Sequence, residues 1–243
     1  MTDDTPILGS AYDAEDAGDV IVRNAPSPRP RDAATLILVR RDGPQPQVLM
    51  GKRSGGHAFM PGKYVFPGGR VDPPDGRVAS LSELSRASEE KLALKSRRRP
   101  RAFALTAIRE TFEETGLIVG KRGETPGRKP KDWQAYHRLG AAPCLQGLTF
   151  FGRAVTPPYR PKRFDARFFL GFAEDVLIDE RPPQDGAELS DLRWVTFAEA
   201  GDLDLPSVTR FMIGEIQARL GGNVPKGPAY LRWSRAGHLM ERL

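Results

Sequence analysis

The chain has 243 residues, a formal net charge of +6 and a single cysteine. This length predicts one domain with additional terminal segments rather than two domains, and a single cysteine excludes an intramolecular disulfide. Because no apolar run is long enough to cross a bilayer and the acidic N-terminal residues do not resemble a signal peptide, we expect a cytoplasmic protein without a membrane partner.

The first half of the chain predicts a polar arm followed by strands and two helices. Residues 1–30 lack hydrophobic period, which is typical of a loose arm. Apolar runs on either side of Asp42-Gly43-Pro44 indicate a hairpin. The predicted strands cover residues 33–41, 46–53 and 63–66. Leucines at helical spacing predict a helix over 80–95, and Pro100 separates it from a second helix over about 101–115.

The second half mixes strands with short helices. A linker rich in glycine, proline and basic residues covers 120–130. Strands are predicted over 117–119, 148–155, 166–172 and 192–196, and helices over 131–138, 197–201 and 207–220. This order lacks regular βαβ alternation and predicts an α/β fold in which helices flank a mixed β-sheet. We expect the main domain to cover residues 31–220 and residues 221–243 to form a tail or cap.

Three carboxylates lie close together near the end of the second helix. Glu110, Glu113 and Glu114 are three and four residues apart, so they share one helical face. Several oxygen ligands on one rigid element suit a hard divalent cation, Mg²⁺ or Mn²⁺. The alternative is a solvated acidic face in which Gly116 is an ordinary helix C-cap.

A glycine pair upstream extends this pattern. Together with Tyr64-Val65-Phe66-Pro67-Gly68-Gly69, the carboxylate helix resembles the Nudix box, G-x5-E-x7-R-E-U-x-E-E-x-G-U with U aliphatic. The matching positions are Gly69, Arg109, Glu110, Glu113, Glu114, Gly116 and Leu117. Thr111 departs from the pattern at an aliphatic position. The resemblance implies a Nudix α/β/α sandwich.

The resemblance also assigns roles to the matching residues. It implies metal ligation by Glu110, Glu113 and Glu114, a further oxygen from the Gly69 carbonyl, and a catalytic contribution of Arg109 in orienting a glutamate.

The box of this chain is split by an insertion. Residues 70–108 number 39 where the pattern has 13, so 26 residues are inserted, over about 73–100. The insertion leaves the first acidic residue of the pattern open. The candidates are Asp75, Glu83, Glu89 and Glu90.

A similar insertion occurs in the branch of the superfamily formed by coenzyme A diphosphatases. The chain resembles that branch in the runs Ala33–Leu38, His57–Gly62 and Arg163–Phe169. An element before the box is similar to one found in coenzyme A hydrolases, and it includes Lys52-Arg53-Ser54 and His57. This resemblance implies substrate contacts from Arg53 and His57, while solvated side chains in a strand and loop are the alternative.

The implied reaction is metal-dependent hydrolysis of a phosphoanhydride. Coenzyme A or an acyl derivative is the first substrate hypothesis, with phosphopantetheine and adenosine 3',5'-bisphosphate as products. ADP-ribose, a dinucleotide or a nucleoside diphosphate sugar is the second, because a shared motif specifies the reaction better than the substrate. The third hypothesis belongs to another class: a nucleotide-sensing module without catalysis.

Two further residues complete the predicted site. Glu188 precedes a predicted strand where relatives often place an acidic residue, which makes it a candidate general base alongside the box glutamates. A plain loop carboxylate is the alternative. Arg167, with Arg153 and Arg163, is a candidate for binding a phosphate such as the 3'-phosphate of coenzyme A.

The positive charge is concentrated in the insertion and the start of the next helix. The basic residues there are Arg86, Lys91, Lys95, Arg97, Arg98, Arg99 and Arg101. They can screen the acidic site, hold substrate phosphates or keep the surface soluble. We do not expect nucleic-acid binding, because aromatic residues for base stacking are not interleaved with them. The three scattered histidines disfavour zinc, and the sequence leaves a homodimer open.

Overall fold

One large sheet dominates the computed structural model, which describes residues 7–8, 27–54, 61–127, 129–234 and 237–243. Ten strands of the described chain belong to this sheet, and β6 and β7 form a separate pair. The strands are β1 (Ile7–Leu8), β2 (Arg31–Arg40), β3 (Gln47–Arg53), β4 (Tyr64–Val65), β5 (Gly68–Arg70), β6 (Lys121–Arg122), β7 (Ala141–Ala142), β8 (Thr149–Val155), β9 (Phe164–Phe172), β10 (Leu189–Thr196), β11 (Ala229–Ser234) and β12 (Gly237–Arg242).

Helices cover both faces of the sheet. They are α1 (Arg86–Ala93), α2 (Pro100–Thr115), α3 (Gln134–Arg138), α4 (Ala173–Val176), α5 (Phe197–Asp202) and α6 (Ser207–Leu220). Short 3-10 turns occur at Asp75–Arg77 and Lys131–Trp133. None of the helices in the described ranges has the length and apolar character needed to cross a membrane.

The sheet is mixed, as the sequence predicts. Its order is β1-β12-β11-β8-β9-β2-β3-β10, with β4 beside β3 and β5 beside β2. The pairs β2–β9 and β11–β8 are parallel, and the other strand pairs of the described chain are antiparallel. The predicted hairpin of β2 and β3 is confirmed, with Val39 opposite Val48 and Arg40 opposite Gln47.

Two apolar layers lie on opposite faces of this sheet. Successive side chains of a strand point to opposite faces, and β2 shows this clearly. Leu36 and Leu38 pack in the layer that contains the α2 side chains, whereas Ile37 and Val39 pack in the layer that contains those of α6. The expected α/β/α sandwich is therefore confirmed.

The insertion packs against the sheet. Ser85 caps α1 by accepting a hydrogen bond from the Ser88 N–H at 3.3 Å. Farther along, the Arg98 Nε donates to Asp32 in β2 at 2.6 Å, and Arg153 in β8 donates to the Leu94 carbonyl at 3.1 Å. Arg98, one of the basic residues in the insertion, thus helps to anchor it to the sheet.

Three segments differ from the predicted elements. The helix predicted over 80–95 forms only as α1, over Arg86–Ala93, because Ser85 is its N-cap and Ser82 forms an isolated bridge with Cys144. Residues 117–119 are buried, but Val119 forms an isolated bridge with Leu177 and not a strand. The segment after Gly221 was expected to be a tail or cap, yet β11 pairs with β8 and β12 pairs with β11. Buried Tyr230 and Leu231 explain why these residues enter the sheet.

Candidate active site

Gly68 and Gly69 bring β5 against β2 on one side and α2 on the other. A Cβ at Gly68 would overlap the carbonyl oxygen of Ala34, and a Cβ at Gly69 would overlap the carboxyl group of Glu110. Glycine lacks this atom, so it is the residue type that permits both approaches. The two halves of the split box therefore meet in space.

Helix α2 carries the carboxylates at its C-terminal end. It begins at Pro100, whose missing N–H leaves no bond unmade at a first helical position. It ends at Gly116, which has φ 71° and donates its N–H to the Phe112 carbonyl at 2.9 Å. Thr111, the departure from the aliphatic pattern, is fully buried and donates its hydroxyl to the Ala107 carbonyl at 2.7 Å. The core thus accepts the polar side chain without an unmade hydrogen bond.

Asp75 occupies the acidic position that the sequence leaves open. It is the sixth residue after Gly69, the spacing at which the box has its first glutamate. The carboxylate is buried and accepts two hydrogen bonds from Arg109, each of 3.0 Å. Thr106 and Trp133 donate to the same carboxylate at 2.7 and 3.0 Å. The insertion therefore follows Asp75, and the glycine-to-acid spacing was the signal that could have identified it.

Arg109 also contacts two carboxylates of its own helix. Its Nη1 lies 2.8 Å from a Glu110 oxygen and 2.9 Å from a Glu113 oxygen. Burial alone would lower the pKa of Arg109, but the Asp75 hydrogen bonds and the surrounding carboxylates raise it, so Arg109 stays cationic. Burial likewise would raise the pKa of Asp75, and Arg109 holds that pKa below its ordinary value. Arg109 is therefore a positioning residue for the carboxylates.

The three predicted metal ligands differ in how far their side chains are buried. Glu114 is buried and accepts the Gly68 N–H at 2.8 Å, and burial raises its pKa to about 8. Burial also raises the pKa of Glu110 to about 7, assisted by Glu113 and opposed by Arg109. The Glu113 side chain is 38% exposed, and partial burial raises its pKa as well. Each group is thus unfavourable as an anion in this environment unless a cation joins it.

The donor chemistry of this set fits Mg²⁺ or Mn²⁺, which take oxygen ligands. Across the part of the chain that the structure describes, no group of three histidine, cysteine or carboxylate side chains already has the mutual spacing of a metal site. Arg109 contacts Glu110 and Glu113, and the Gly68 N–H contacts Glu114. A cation bound by all three glutamates would compete with Arg109 for two of them.

A cavity of about 580 Å³ opens beside the carboxylates. Glu110 and Glu113 line it, and so do two other residues singled out in the sequence, Arg53 and Glu188. Glu188 is exposed, and its charge contributes to raising the pKa of Glu110. His57 lies outside the described residues.

Arg53 reaches this cavity from the end of β3. Its Nε is buried and has no hydrogen-bond partner among the described residues. Its charge lowers the pKa of Glu114, though less than burial raises it. The neighbouring Ser54 N–H donates to the Glu188 carbonyl at 3.1 Å, so the segments that carry Arg53 and Glu188 are joined.

The position of Arg167 does not support the expected contact with substrate. Ala166 and Phe168 line the cavity, so Arg167 points to the opposite face of β9. It is 1% exposed, lies 2.8 Å from an Asp165 oxygen and stacks over the Phe103 ring at 4.3 Å. Arg167 therefore belongs to an ion network inside the sandwich.

Other basic residues line the cavity instead. They are Arg31, Arg70, Arg160, Arg232 and His238. Apart from Arg70, they come from the start of β2, the β8–β9 connection and the C-terminal strands β11 and β12. The sequence does not show that these distant positions come together, because their proximity depends on the pairing of β11 with β8, which local sequence does not specify.

The chain is similar to known Nudix proteins. A solved Nudix hydrolase structure from Alicyclobacillus acidocaldarius is 30% identical, with a TM-score of 0.60 over 82% of this chain and 99% of that one. A Caenorhabditis elegans protein provisionally named nudix hydrolase 7 is 29% identical over 185 residues, which cover 71% of this chain and 53% of the relative. No protein-family model matches the chain.

A second curated relative has a more specific name. The acyl-coenzyme A diphosphatase NUDT19 of Gallus gallus is 27% identical over 238 residues, which cover 70% of this chain and 62% of the relative. This chain therefore spans 53% to 62% of the length of these two curated relatives.

Proposed function

Because this chain belongs to the Nudix hydrolase family, we propose that it hydrolyses a phosphoanhydride bond in a nucleoside diphosphate linked to another group, with Mg²⁺ or Mn²⁺ as cofactor. The observation that carries the proposal is the excess of carboxylates around Arg109 at the edge of a cavity. A cation compensates this charge, and a substrate diphosphate brings negative charge that such a cation also binds.

Glu110, Glu113 and Glu114 would hold the cation, with a further oxygen from the Gly69 carbonyl. When bound, Mg²⁺ or Mn²⁺ supplies Lewis-acid polarisation of the phosphoryl oxygens and lowers the pKa of a coordinated water. Arg109 keeps two of the glutamates in place, and Asp75 keeps Arg109 in place. The helix thus brings three carboxylates and their positioning arginine to one edge of the cavity.

Glu188 is our candidate for the general base. It lines the same cavity as Glu110 and Glu113, on a segment tied to β3 through Ser54. Its exposed carboxylate can reach a water in the cavity without first leaving an ion pair within the described chain. A substitution Glu188→Gln should lower kcat about 10²-fold or more with KM little changed. Unchanged turnover would remove Glu188 from the mechanism.

The proposed substrate is coenzyme A or an acyl derivative, cleaved to phosphopantetheine and adenosine 3',5'-bisphosphate. Similarity to the acyl-coenzyme A diphosphatase NUDT19 supports this choice. Arg53 also supports it, since its cationic side chain lies beside the carboxylates, and its Nε, which has no hydrogen-bond partner among the described residues, is suited to a phosphate oxygen. His57 remains proposed as a second contact from the same element.

A panel assay tests both the reaction and the substrate. Coenzyme A, acetyl-coenzyme A, ADP-ribose, a dinucleoside polyphosphate and a nucleoside diphosphate sugar are each incubated with the protein and Mg²⁺ or Mn²⁺, and products are separated by chromatography. We expect the highest kcat/KM with coenzyme A or its acetyl ester. If another compound were preferred, the proposed reaction would stand and the proposed substrate would be wrong. Calorimetric binding without turnover of any compound would favour a nucleotide-sensing module.

A further inference from the structure

Strand β10 contains a β-bulge close to its start. The register of β10 against β3 shifts between Ser190 and Arg193. Asp191 and Leu192 therefore both lie across from Gly51 of β3, so β10 carries one extra residue. Asp191 has φ 47°, in the left-handed region that residues other than glycine rarely adopt. A backbone conformation of this kind persists only where surrounding contacts hold it.

The side chain of Asp185 holds the bulge. One of its carboxylate oxygens accepts the Asp191 N–H and the other accepts the Leu192 N–H, each at 2.9 Å. A bulge takes N–H groups out of the hydrogen-bond ladder between strands, so these groups need acceptors from elsewhere. Hydrogen bonds to a carboxylate are stronger than those between neutral groups. Asp185 therefore stabilises the backbone conformation that the bulge requires.

The neighbouring strands also contact the bulge. The Asp191 carboxylate accepts a hydrogen bond from the Tyr64 hydroxyl of β4 and lies 3.6 Å from the Arg193 guanidinium. A Cβ at Gly51 would lie 2.7 Å from a methyl carbon of Leu192, so the glycine leaves room for this side chain. The bulge is thus built into the packing of β3, β4 and β10.

The bulge determines where the first residues of β10 lie. Because side chains of a strand alternate between the two faces of the sheet, a shift of one residue turns every side chain to the other face. Leu189 is buried and lies opposite Arg53. If the extra residue were absent and the rest of β10 kept its pairing, Ser190 would take the place of Leu189 opposite Arg53. The residues before the bulge would then move by about 3.4 Å along the strand.

Glu188 comes directly before these residues and is held by backbone hydrogen bonds. Its carbonyl accepts the Ser54 N–H at 3.1 Å. The Gly186 N–H donates to the Leu189 carbonyl at 2.8 Å and closes the turn that contains Glu188. A change in the position of Leu189 would therefore also move Glu188.

The segment before Glu188 is tied to the carboxylate helix. The Gln184 N–H donates to the Thr115 carbonyl at the end of α2 at 2.8 Å. A Cβ at Gly186 would lie 3.4 Å from the carbonyl oxygen of Glu114, so this part of the segment packs directly on α2. The segment with Glu188 thus connects the proposed metal-binding helix to β3, and the bulge fixes its far end.

We propose that Asp185 is a positioning residue for Glu188: by holding the bulge, it places the Glu188 carboxylate at the cavity beside Glu110 and Glu113. This inference rests on the proposed function, in which Glu188 is the general base. Asp185 itself is not in the described cavity lining, and both of its carboxylate oxygens accept bulge N–H groups. It therefore acts through Glu188 and not on the substrate.

Substitutions at Asp185 test the proposal. Asp185→Ala removes both acceptors and should lower kcat with the preferred panel substrate about tenfold or more, with KM within about twofold of wild type, because small displacements of a catalytic group are costly. Asp185→Asn keeps one acceptor oxygen and should restore kcat to within about threefold of wild type. Glu180→Ala is the matched control, since it removes an exposed carboxylate between α4 and β10 that is not in the described cavity lining. Its kcat should equal that of wild type within about twofold.

A second variant and a measurement without substrate address the bulge itself. Tyr64→Phe removes only the hydroxyl that holds Asp191, and it should lower kcat about threefold; it decides the question if Asp185→Ala does not fold. Hydrogen exchange at the Asp191 and Leu192 amides, followed by NMR, should be at least about tenfold faster in Asp185→Ala than in wild type. Unchanged exchange in Asp185→Ala, or wild-type kcat in Tyr64→Phe, would overturn the proposal.

A double-mutant cycle with Glu188→Gln separates positioning of Glu188 from other effects. In the Glu188→Gln background, Asp185→Ala should change kcat by less than about twofold, because the group that it positions is already lost. A tenfold loss in both backgrounds would overturn the proposal, since Asp185 would then act by another route.

The same measurements distinguish failure of this inference from failure of the proposed function. Normal kcat in Asp185→Ala together with reduced kcat in Glu188→Gln would reject the inference alone. Normal kcat in Glu188→Gln would reject the general base and this inference with it, while the proposed hydrolysis would stand. If wild type hydrolysed none of the panel compounds, the proposed function and the inference would both be wrong.

Discussion

Two arginine clusters within the described residues have opposite charge balances. The site cluster consists of Arg109 with Asp75, Glu110 and Glu113. The sheet cluster consists of Arg98, Arg153 and Arg167 with Asp32 and Asp165. One guanidinium therefore serves three carboxylates in the first cluster, whereas three guanidiniums share two carboxylates in the second.

The comparison shows that burial of an arginine does not by itself indicate function. Arg109 and Arg167 are almost equally buried, at 4% and 1% exposed. The difference lies in which charge is in excess and where it faces. Surplus carboxylates line a cavity at the site cluster, whereas the surplus guanidinium of the sheet cluster helps to attach the insertion to β2.

The largest expected effect is loss of activity at the site cluster. We expect Glu113→Gln to lower kcat/KM about 10³-fold, because it removes the charge of a proposed metal ligand while leaving the helix intact. The melting temperature should stay within about 2 °C of wild type, since the side chain is partly exposed. Steady-state kinetics and thermal unfolding measure the two quantities.

Asp132→Asn is the matched control for this prediction. Asp132 is exposed and its charge raises the pKa of Glu113, but it is not in the described cavity lining. It should retain activity within about twofold. Equal losses in the two variants would mean that general electrostatics, and not ligation, accounts for the effect.

A substitution in the sheet cluster should lower stability and leave activity unchanged. Asp165 accepts two hydrogen bonds from Arg153, at 2.8 and 2.7 Å, in a poorly exposed environment. Asp165→Asn leaves buried guanidiniums without their counter-charge and should lower the free energy of unfolding by about 3 kcal/mol. Activity per folded molecule should be unchanged. Urea unfolding and active-site-normalised kinetics provide the measurements.

A surface pair supplies the control for Asp165. Asp179 pairs with Arg181 at 2.7 Å in a more exposed place, so Asp179→Asn should cost less than about 1 kcal/mol. If both substitutions had the same small effect, the sheet cluster would not be a source of stability. A selective loss of kcat in Asp165→Asn would instead connect it with the site.

Asp75→Asn tests the link between burial and positioning inside the site cluster. Arg109 would keep its contacts with Glu110 and Glu113 but lose its deepest counter-charge. We expect kcat to fall about 10- to 100-fold, the range typical of partners that orient ligands. The Mn²⁺ affinity, measured by titration, should weaken with it. Asp72→Asn is the control, because Asp72 lies 3.7 Å from Arg109 at a more exposed position. Weakening of equal size in both variants would contradict a special role for Asp75.

Much of the fold could be predicted because its local signals agree with the tertiary structure. Pro100 and Gly116 mark the two ends of α2, whose start lies within one residue of the prediction. The strands β2 and β3 lie on either side of the turn at Asp42-Gly43-Pro44, as predicted. The apolar residues 117–119 are buried, as the sequence indicates. They do not form a strand, because strand pairing depends on a partner segment that a short apolar stretch does not specify. The C-terminal strands were missed for the same reason.

The candidate site divides along a similar line. The glutamates of α2 share a face through helical period alone, so the sequence reveals their proximity. The sequence does not show which way Arg167 faces, because the side of β9 that lines the cavity depends on the packing of two layers. The insertion offers four acidic candidates for the first acidic position of the box, although the spacing from Gly69 distinguishes Asp75. Arg160 and Arg232 are brought together by strand order, which local pattern does not encode.

A separate expected effect concerns the pH dependence of stability at Glu114. Its pKa is raised by burial from an ordinary 4.5 to about 8, so the folded state holds a proton between these values that the unfolded state has lost. Stability is therefore full below the unfolded pKa and falls as pH rises toward 8, by at most about 1.4 kcal/mol per pH unit. Glu114→Gln still accepts the Gly68 N–H and removes this loss.

In EDTA, urea midpoints measured from pH 5.5 to 8 should decline less steeply for Glu114→Gln than for wild type, and the variant should be the more stable protein at pH 8. Adding Mn²⁺ should raise the urea midpoint of wild type at pH 8 but not that of Glu114→Gln, because the cation replaces the proton as the partner of the carboxylate. Glu124→Gln, the same change at an exposed residue, should follow wild type. Parallel slopes for wild type and Glu114→Gln would show that this buried glutamate is ionised without a cation, and the surplus charge of the site cluster would then need no metal to balance it.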